Sequence, residues 1–199
     1  MVLAFVASPA AAQVWDTPTF LSPRPGEDIG AYAVKPENTG WAFEGIWRTE
    51  GNLNLGVRVG VTDNEKIFVG SEFYQPLNIM GANSPLLMSW TLGVGATFAD
   101  ATALRIPLGV SVGTRLGTGG VRLLPYAHPR VALDVLAYDR EDVPPGASDT
   151  QSDIRFVLDL GADVELGSDW VGRFGATVTQ NTAFGVGVAY RFSRRLVVR

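Results

Sequence analysis

Along most of this chain, large apolar residues occupy every second position and tiny or polar residues fill the positions between. The final stretch is the clearest. Phe184, Val186, Val188, Tyr190 and Phe192 alternate with Gly185, Gly187, Ala189 and Arg191, and a period of two puts the large side chains on one face of a strand. The opposite face is small or charged. That inverts a soluble protein with a greasy core and fits a wall that faces lipid. Leu53, Leu55, Val57, Val59 and Val61 repeat the pattern against Asn52, Asn54, Gly56, Arg58 and Gly60. So do Trp90 to Phe98, Leu104 to Val112 and Ile154 to Leu166, each with its own small or charged opposite face.

Other stretches are less regular. Trp41, Phe43 and Trp47 oppose Ala42, Glu44, Ile46 and Arg48, while Ile67 to Tyr74 carries large residues on both faces. Pro107 requires a bulge or a locally unpaired position, and Pro125 and Pro129 weaken the first half of the strand expected over Val121 to Tyr138. Asp139 to Ser152 is rich in acid, proline and small residues and reads as the extracellular loop. No helical period and no linker between two domains are present. Nine strands are legible, and a tenth over Ile29 to Val34 follows from the count: a barrel with both termini in the periplasm needs an even number, and only that register puts Asp139 to Ser152 outside. The expected fold is all-β, an antiparallel up-and-down transmembrane β-barrel of about 10 strands, with eight as the alternative.

The segments outside the barrel divide as follows. Residues 1–12, MVLAFVASPAAA, have the apolar core and small-residue end of a signal peptide without its charged start. Residues 13–28 form a leader in which Pro18, Pro23 and Pro25 block ladder pairing, expected at the periplasmic mouth. The barrel spans 29–193, and 194–199 is a basic tail.

Composition supports this reading. The 199 residues suit one domain; they are 46% hydrophobic, with 23 glycines and a mean hydropathy of +0.14, yet no run of 18 apolar residues marks a membrane helix. A closed barrel reconciles these values, because alternation dilutes its lipid-facing residues. The absence of cysteine suits export without requiring it. A net charge of −4 with no basic stripe among aromatics argues against nucleic acid as a partner.

Gly187, Tyr190 and Phe192 match the C-terminal assembly signal of bacterial outer-membrane proteins, although Gly185 stands where a polar residue is usual and Ser193 to Arg199 extends beyond it. With the signal-like start and the alternating strands, the chain resembles the small outer-membrane barrels of the OmpA/OmpX/OmpW kind over about Ile29 to Phe192. The resemblance implies outer-membrane lipid and the barrel assembly machinery as partners, a monomer, and location in the bacterial outer membrane. It transfers no active site.

Parity places Glu44, Arg48, Arg58, Glu72, Arg105, Arg115, Arg130, Asp134, Arg155, Asp159, Asp163, Glu165, Arg173 and Arg191 toward the lumen. Charges there must be paired or wetted. They form either an interlocking network that fills the barrel or the lining of a narrow water-filled passage; glycines 56, 93, 109 and 187 allow both. In the first case Arg105, Arg115, Arg130 and Arg155 pair with Asp134, Asp159, Asp163 and Glu165. His128 is the only histidine, and a triad with Ser111 and Asp134 can be drawn on paper but has no nucleophile elbow. The acids from Asp139 to Asp153 lack calcium-loop spacing. No cofactor or metal is expected and no enzyme activity. Trp41, Trp47, Trp90, Trp170, Tyr190 and Phe192 read as interfacial girdles. The expected function is an outer-membrane structural or interaction barrel, or a narrow passive pore. The alternatives are a lipid-modifying barrel enzyme and a soluble lipocalin-like barrel.

Overall fold

The computed structural model describes residues 17–37, 40–51, 54–63, 66–78, 84–98, 101–118, 121–138, 150–178 and 182–192. The signal-like segment, most of the acidic loop and the basic tail lie outside them. The strands are β1 (Asp28–Pro36), β2 (Ala42–Thr49), β3 (Leu55–Thr62), β4 (Ile67–Leu77), β5 (Leu86–Phe98), β6 (Ala101–Thr114), β7 (Leu116–Thr118), β8 (Val121–Tyr138), β9 (Thr150–Leu166), β10 (Trp170–Val178) and β11 (Ala183–Arg191).

All neighbours pair antiparallel, β1 pairs with β11, and β6 pairs with β8. Because β7 continues the register of β6 along β8 beyond a break at Arg115, the two are one interrupted strand and the sheet closes as a ten-stranded barrel. The inferred first strand exists, two residues longer at its end than expected. β9 begins at Thr150, inside the expected loop.

Proline has left its mark on the ladders. The β5–β6 pairing lapses between Leu92↔Leu108 and Gly95↔Arg105, around Pro107. The β6–β8 pairing lapses between Gly109↔Arg130 and Val112↔Ala127, opposite Pro129. Both resume in the same register, so the missing donors produce gaps rather than bulges. β8 therefore keeps its parity through both prolines, and His128 points inward with Arg130. Gly167 turns β9 into β10 with φ +85°, a left-handed conformation open to glycine.

Asp28, where β1 begins, and Arg191, where β11 ends, pair at one mouth, called the terminal mouth; the β8–β9 connection is at the far mouth. Outside, Val57, Val59, Leu108, Ile154, Phe156, Phe184 and their like are exposed, with Ile154 at 71%. Inside, the ambiguous β4 resolves: Phe68 and Tyr74 are buried, while Ile67 and Val69 face out.

The largest departure from expectation is the leader. Residues 17–22 are not at the mouth but inside the barrel: Phe20 and Ser22 have no exposure, and Thr17 and Leu21 have 1%.

Candidate functional site: a plugged lumen

The leader enters at the terminal mouth and runs inward from Gly26 to Thr17. With Pro18, Pro23 and Pro25 it carries more carbonyls than N–H groups and cannot pair as a strand. The lumen therefore has to supply donors, and arginine is a side chain that only donates. Arg58 Nη2 donates to the Thr19 carbonyl at 2.7 Å and Arg48 Nη2 to the same oxygen at 3.1 Å. Arg130 donates to the Thr17 carbonyl at 3.2 Å, Arg173 to that of Pro25 at 3.2 Å, and Ser111 Oγ to that of Leu21 at 2.7 Å.

The same arginines also hold carboxylates, in part through the same nitrogens. Arg48 meets Glu72 at 3.0 Å and Asp28 at 3.8 Å; Arg58 meets Glu44 at 3.3 Å and Glu72 at 3.8 Å. Arg173 pairs with Asp28 and, at 3.4 Å, with Asp163, which accepts a hydrogen bond from Ser22 at 2.8 Å. The network that would fill the barrel is thus built partly from wall residues and partly from the leader's backbone.

A belt of hydrogen bonds crosses the lumen at Thr19. Its amide and hydroxyl both donate to Asp159 Oδ2, at 3.2 and 2.9 Å, and its Oγ1 lies 2.9 Å from His128 Nδ1. A hydroxyl has one proton; with that proton on Asp159, His128 donates from Nδ1, and Nε2 accepts from Thr91 Oγ1 at 2.8 Å. Arg130 and Thr177 donate to Asp159 Oδ1 at 3.1 and 2.8 Å. β5, β8, β9 and β10 are all tied to the leader in this way.

Phe20 fills the apolar side of the lumen. It stacks on Tyr32 with ring centroids 4.5 Å apart and clusters with Val34, Ile46 and Phe68. Its φ of 50° is the single positive value among non-glycine residues described, a strained backbone that close packing must hold in place. Glycines make the room: a Cβ on Gly185 would lie 2.6 Å from the Phe20 ring, and one on Gly175 would lie 2.7 Å from Pro18. Gly187 admits Tyr32 in the same way. A cavity of about 40 Å³ lies beside Thr17, Thr19, Arg58 and Arg130, enough for a few waters.

The remaining charges sort by depth. Arg105 and Arg155 share Asp134 toward the far mouth, Arg155 at 3.4 Å, and Arg155 also meets exposed Asp153 at 3.1 Å. Glu165, at the terminal mouth, pairs with Arg191 at 3.1 Å and Arg122 at 3.3 Å. Arg115 departs from expectation: it sits in the break between β6 and β7, exposed at the rim, because parity sets a side chain's face but not its depth. The expected pairing of Asp163 and Glu165 with Arg105, Arg115, Arg130 and Arg155 is also replaced, by Arg173 and by Arg122 with Arg191. Ser111, His128 and Asp134 do not converge, since Ser111 is committed to Leu21 and Asp134 to Arg105 and Arg155.

Sequence reasoning missed Thr17, Thr19, Phe20 and Ser22. One signal was available: inward glycines on adjacent strands, Gly175 beside Gly185, leave a hollow that the wall itself does not fill.

No family model matches the chain, and no curated protein matches it in sequence. Several solved barrels resemble it in shape. A KdgM porin in complex with disordered oligogalacturonate has a TM-score of 0.47 at 10% identity, covering 83% of this chain and 99% of that one. The beta domain of the Bordetella autotransporter BrkA has a TM-score of 0.45 at 12% identity, covering 84% and 100%. The Acinetobacter baumannii outer-membrane protein Omp33 has a TM-score of 0.38 at 9% identity, covering 84% and 98%.

Proposed function

We propose that this protein is an integral barrel of the bacterial outer membrane, closed by its own N-terminal segment, that serves as a structural or interaction barrel rather than an open pore. The observation that carries the closed state is the burial of Thr17 to Ser22 among the lumen arginines. A free passage needs a continuous water path, and the leader occupies that path at the level of Asp159, His128 and Thr91.

Membrane residence is supported by the outer wall. Its exposed apolar side chains run from the Trp170, Tyr190 and Phe192 cluster at the terminal mouth to Trp41 against Phe184 near the far mouth. A strand of nine residues such as β11, rising about 3.4 Å per residue and tilted by about 40°, spans about 23 Å, near the roughly 25 Å apolar band of outer-membrane barrels. Soluble monomers do not expose an apolar surface of this extent. A role without catalysis belongs to the same proposal: His128 is enclosed and both its nitrogens are engaged. So do a monomeric state and assembly through the C-terminal strand, which is the strand that closes on β1.

The test is conductance across a planar bilayer. The full chain should pass little current, and a variant lacking residues 17–27 should conduct steadily. Steady conductance by the full chain would overturn the closed reading, and partition of the folded protein into water without detergent would overturn the membrane reading.

A further inference from the structure

At the terminal mouth, one hollow is lined by more arginines than carboxylates. Arg24 on the leader, Arg115 between β6 and β7, Arg122 on β8 and Arg191 on β11 line a vestibule of about 350 Å³ together with Asp163 and Glu165. Asp163 is already held by Arg173 and Ser22, and Glu165 alone bridges Arg122 and Arg191. Among the described residues Arg24 reaches only the amide oxygen of Asn78, at 3.3 Å. Arg115 has no hydrogen bond or ion pair among the described residues, and the buried Nε of Arg191 has no hydrogen-bond partner there. The chain as a whole has a net charge of −4, so a lining of four arginines against two carboxylates is a local feature and not a reflection of composition.

We infer that this vestibule binds a phosphate group, held by the Arg115, Arg122 and Arg191 guanidiniums with Arg24 closing over it from the leader. Guanidinium forks match phosphate oxygens two at a time, and a phosphomonoester matches the charge surplus. The group belongs either to a soluble phosphate compound or to a phospholipid headgroup at the membrane face. The contacts of Arg115, Arg122 and Arg191 do not depend on the seal, since an open lumen would leave the rim in place and remove only Arg24. Because Arg24 rides on the leader, occupancy also tethers the leader to the rim.

The test uses the full chain refolded in uncharged micelles, with two calorimetric titrations: inorganic phosphate alone, and phosphatidic acid in mixed micelles. Saturable binding in the first arm identifies a soluble ligand; binding in the second alone identifies a lipid headgroup. Arg115→Ala removes no interaction of the fold, so it should leave the far-ultraviolet spectrum unchanged while weakening binding about tenfold, as expected for one charge-assisted contact. Arg155→Ala, beside Asp134 near the far mouth, should leave binding as it is. No saturable binding in either arm, or equal weakening by Arg115→Ala and Arg155→Ala, would overturn the site.

Discussion

The two ends of the lumen use the same residue types differently. Toward the terminal mouth and the middle, Arg48, Arg58, Arg130 and Arg173 are almost fully buried, and each divides its donors between a carboxylate and a carbonyl of the leader. Toward the far mouth, Arg105, Arg155, Asp134 and Asp153 pair with one another, and the side chains of Arg155 and Asp153 are 20% and 64% exposed. The first arrangement is a socket. The second is an ion-pair cluster whose outer members, Arg155 and Asp153, reach water, while Arg105 beneath them is 2% exposed. Burial makes a charge expensive to strand, and exposure makes it cheap, so substitutions of similar chemistry should differ sharply between the two ends.

The largest effect is expected at Asp159, which accepts from Thr19, Arg130 and Thr177 with 1% exposure. Asp159→Asn keeps the shape and strands the Arg130 cation, at a cost on the order of 3–5 kcal/mol. Urea unfolding of the lipid-embedded protein, followed by tryptophan fluorescence, should show it. A shift below about 1 kcal/mol, the range of an exposed pair, would mean that the socket is wet.

Phe20 tests the socket from the leader's side. Phe20→Ala removes a buried ring and keeps the left-handed backbone, for a loss of about 3 kcal/mol that falls on docking of the leader rather than on the barrel. Amide exchange of residues 17–22 should accelerate while the strands stay protected. Phe20→Gly should be milder by about 1 kcal/mol, because only glycine relieves the backbone at φ 50°. The reverse order would show that the strain is not real.

The difference between the ends also explains what could be read from the sequence. The strands were legible because a two-faced wall imposes period two over eight or more residues, and even Pro107 and Pro129 interrupted pairing without shifting it. β1 was the faintest strand because its outward positions include Ala31 and Ala33, too small to mark a face. Inward charges were legible as a set. Their partners were not: parity says that Asp163 and Arg115 face the same interior, but Asp163 lies beside Arg173 within the socket and Arg115 stands at the rim. The leader was the hardest to place. An extended, proline-broken segment has no period, and its structure comes from partners distant in sequence, such as Arg58, which donates to the Thr19 carbonyl, and Asp159, which accepts from the Thr19 hydroxyl.

At the far mouth, Asp134 is the shared acceptor of Arg105 and Arg155 and is 14% exposed. Asp134→Asn takes the carboxylate from Arg105, which is 2% exposed, but leaves Arg155 in reach of water, so it should cost less than Asp159→Asn, about 2–3 kcal/mol, and should leave amide exchange of the leader unchanged. Coupling between Asp134→Asn and Phe20→Ala, measured in a double-mutant cycle, should be close to zero, since the two sites share no partner.

The smallest effect is expected at Arg155, and it bears most directly on the contrast. Arg155 holds Asp153 at 3.1 Å and Asp134 at 3.4 Å, two ion pairs by distance, as many as Arg48 makes. Counted as ion pairs among the described residues, the two arginines are equal. By exposure they are not: the Arg48 side chain is fully enclosed and that of Arg155 is 20% exposed. If enclosure decides, Arg155→Ala costs about 0–1 kcal/mol because water replaces what is lost around Asp153, and Asp134 retains Arg105. Arg48→Ala would instead leave Glu72, Asp28 and the Thr19 carbonyl short of a donor and should cost several times as much. Equal losses in the urea titration for Arg155→Ala and Arg48→Ala would show that pair number rather than enclosure sets the strength of these networks, and the distinction between socket and open cluster would fail.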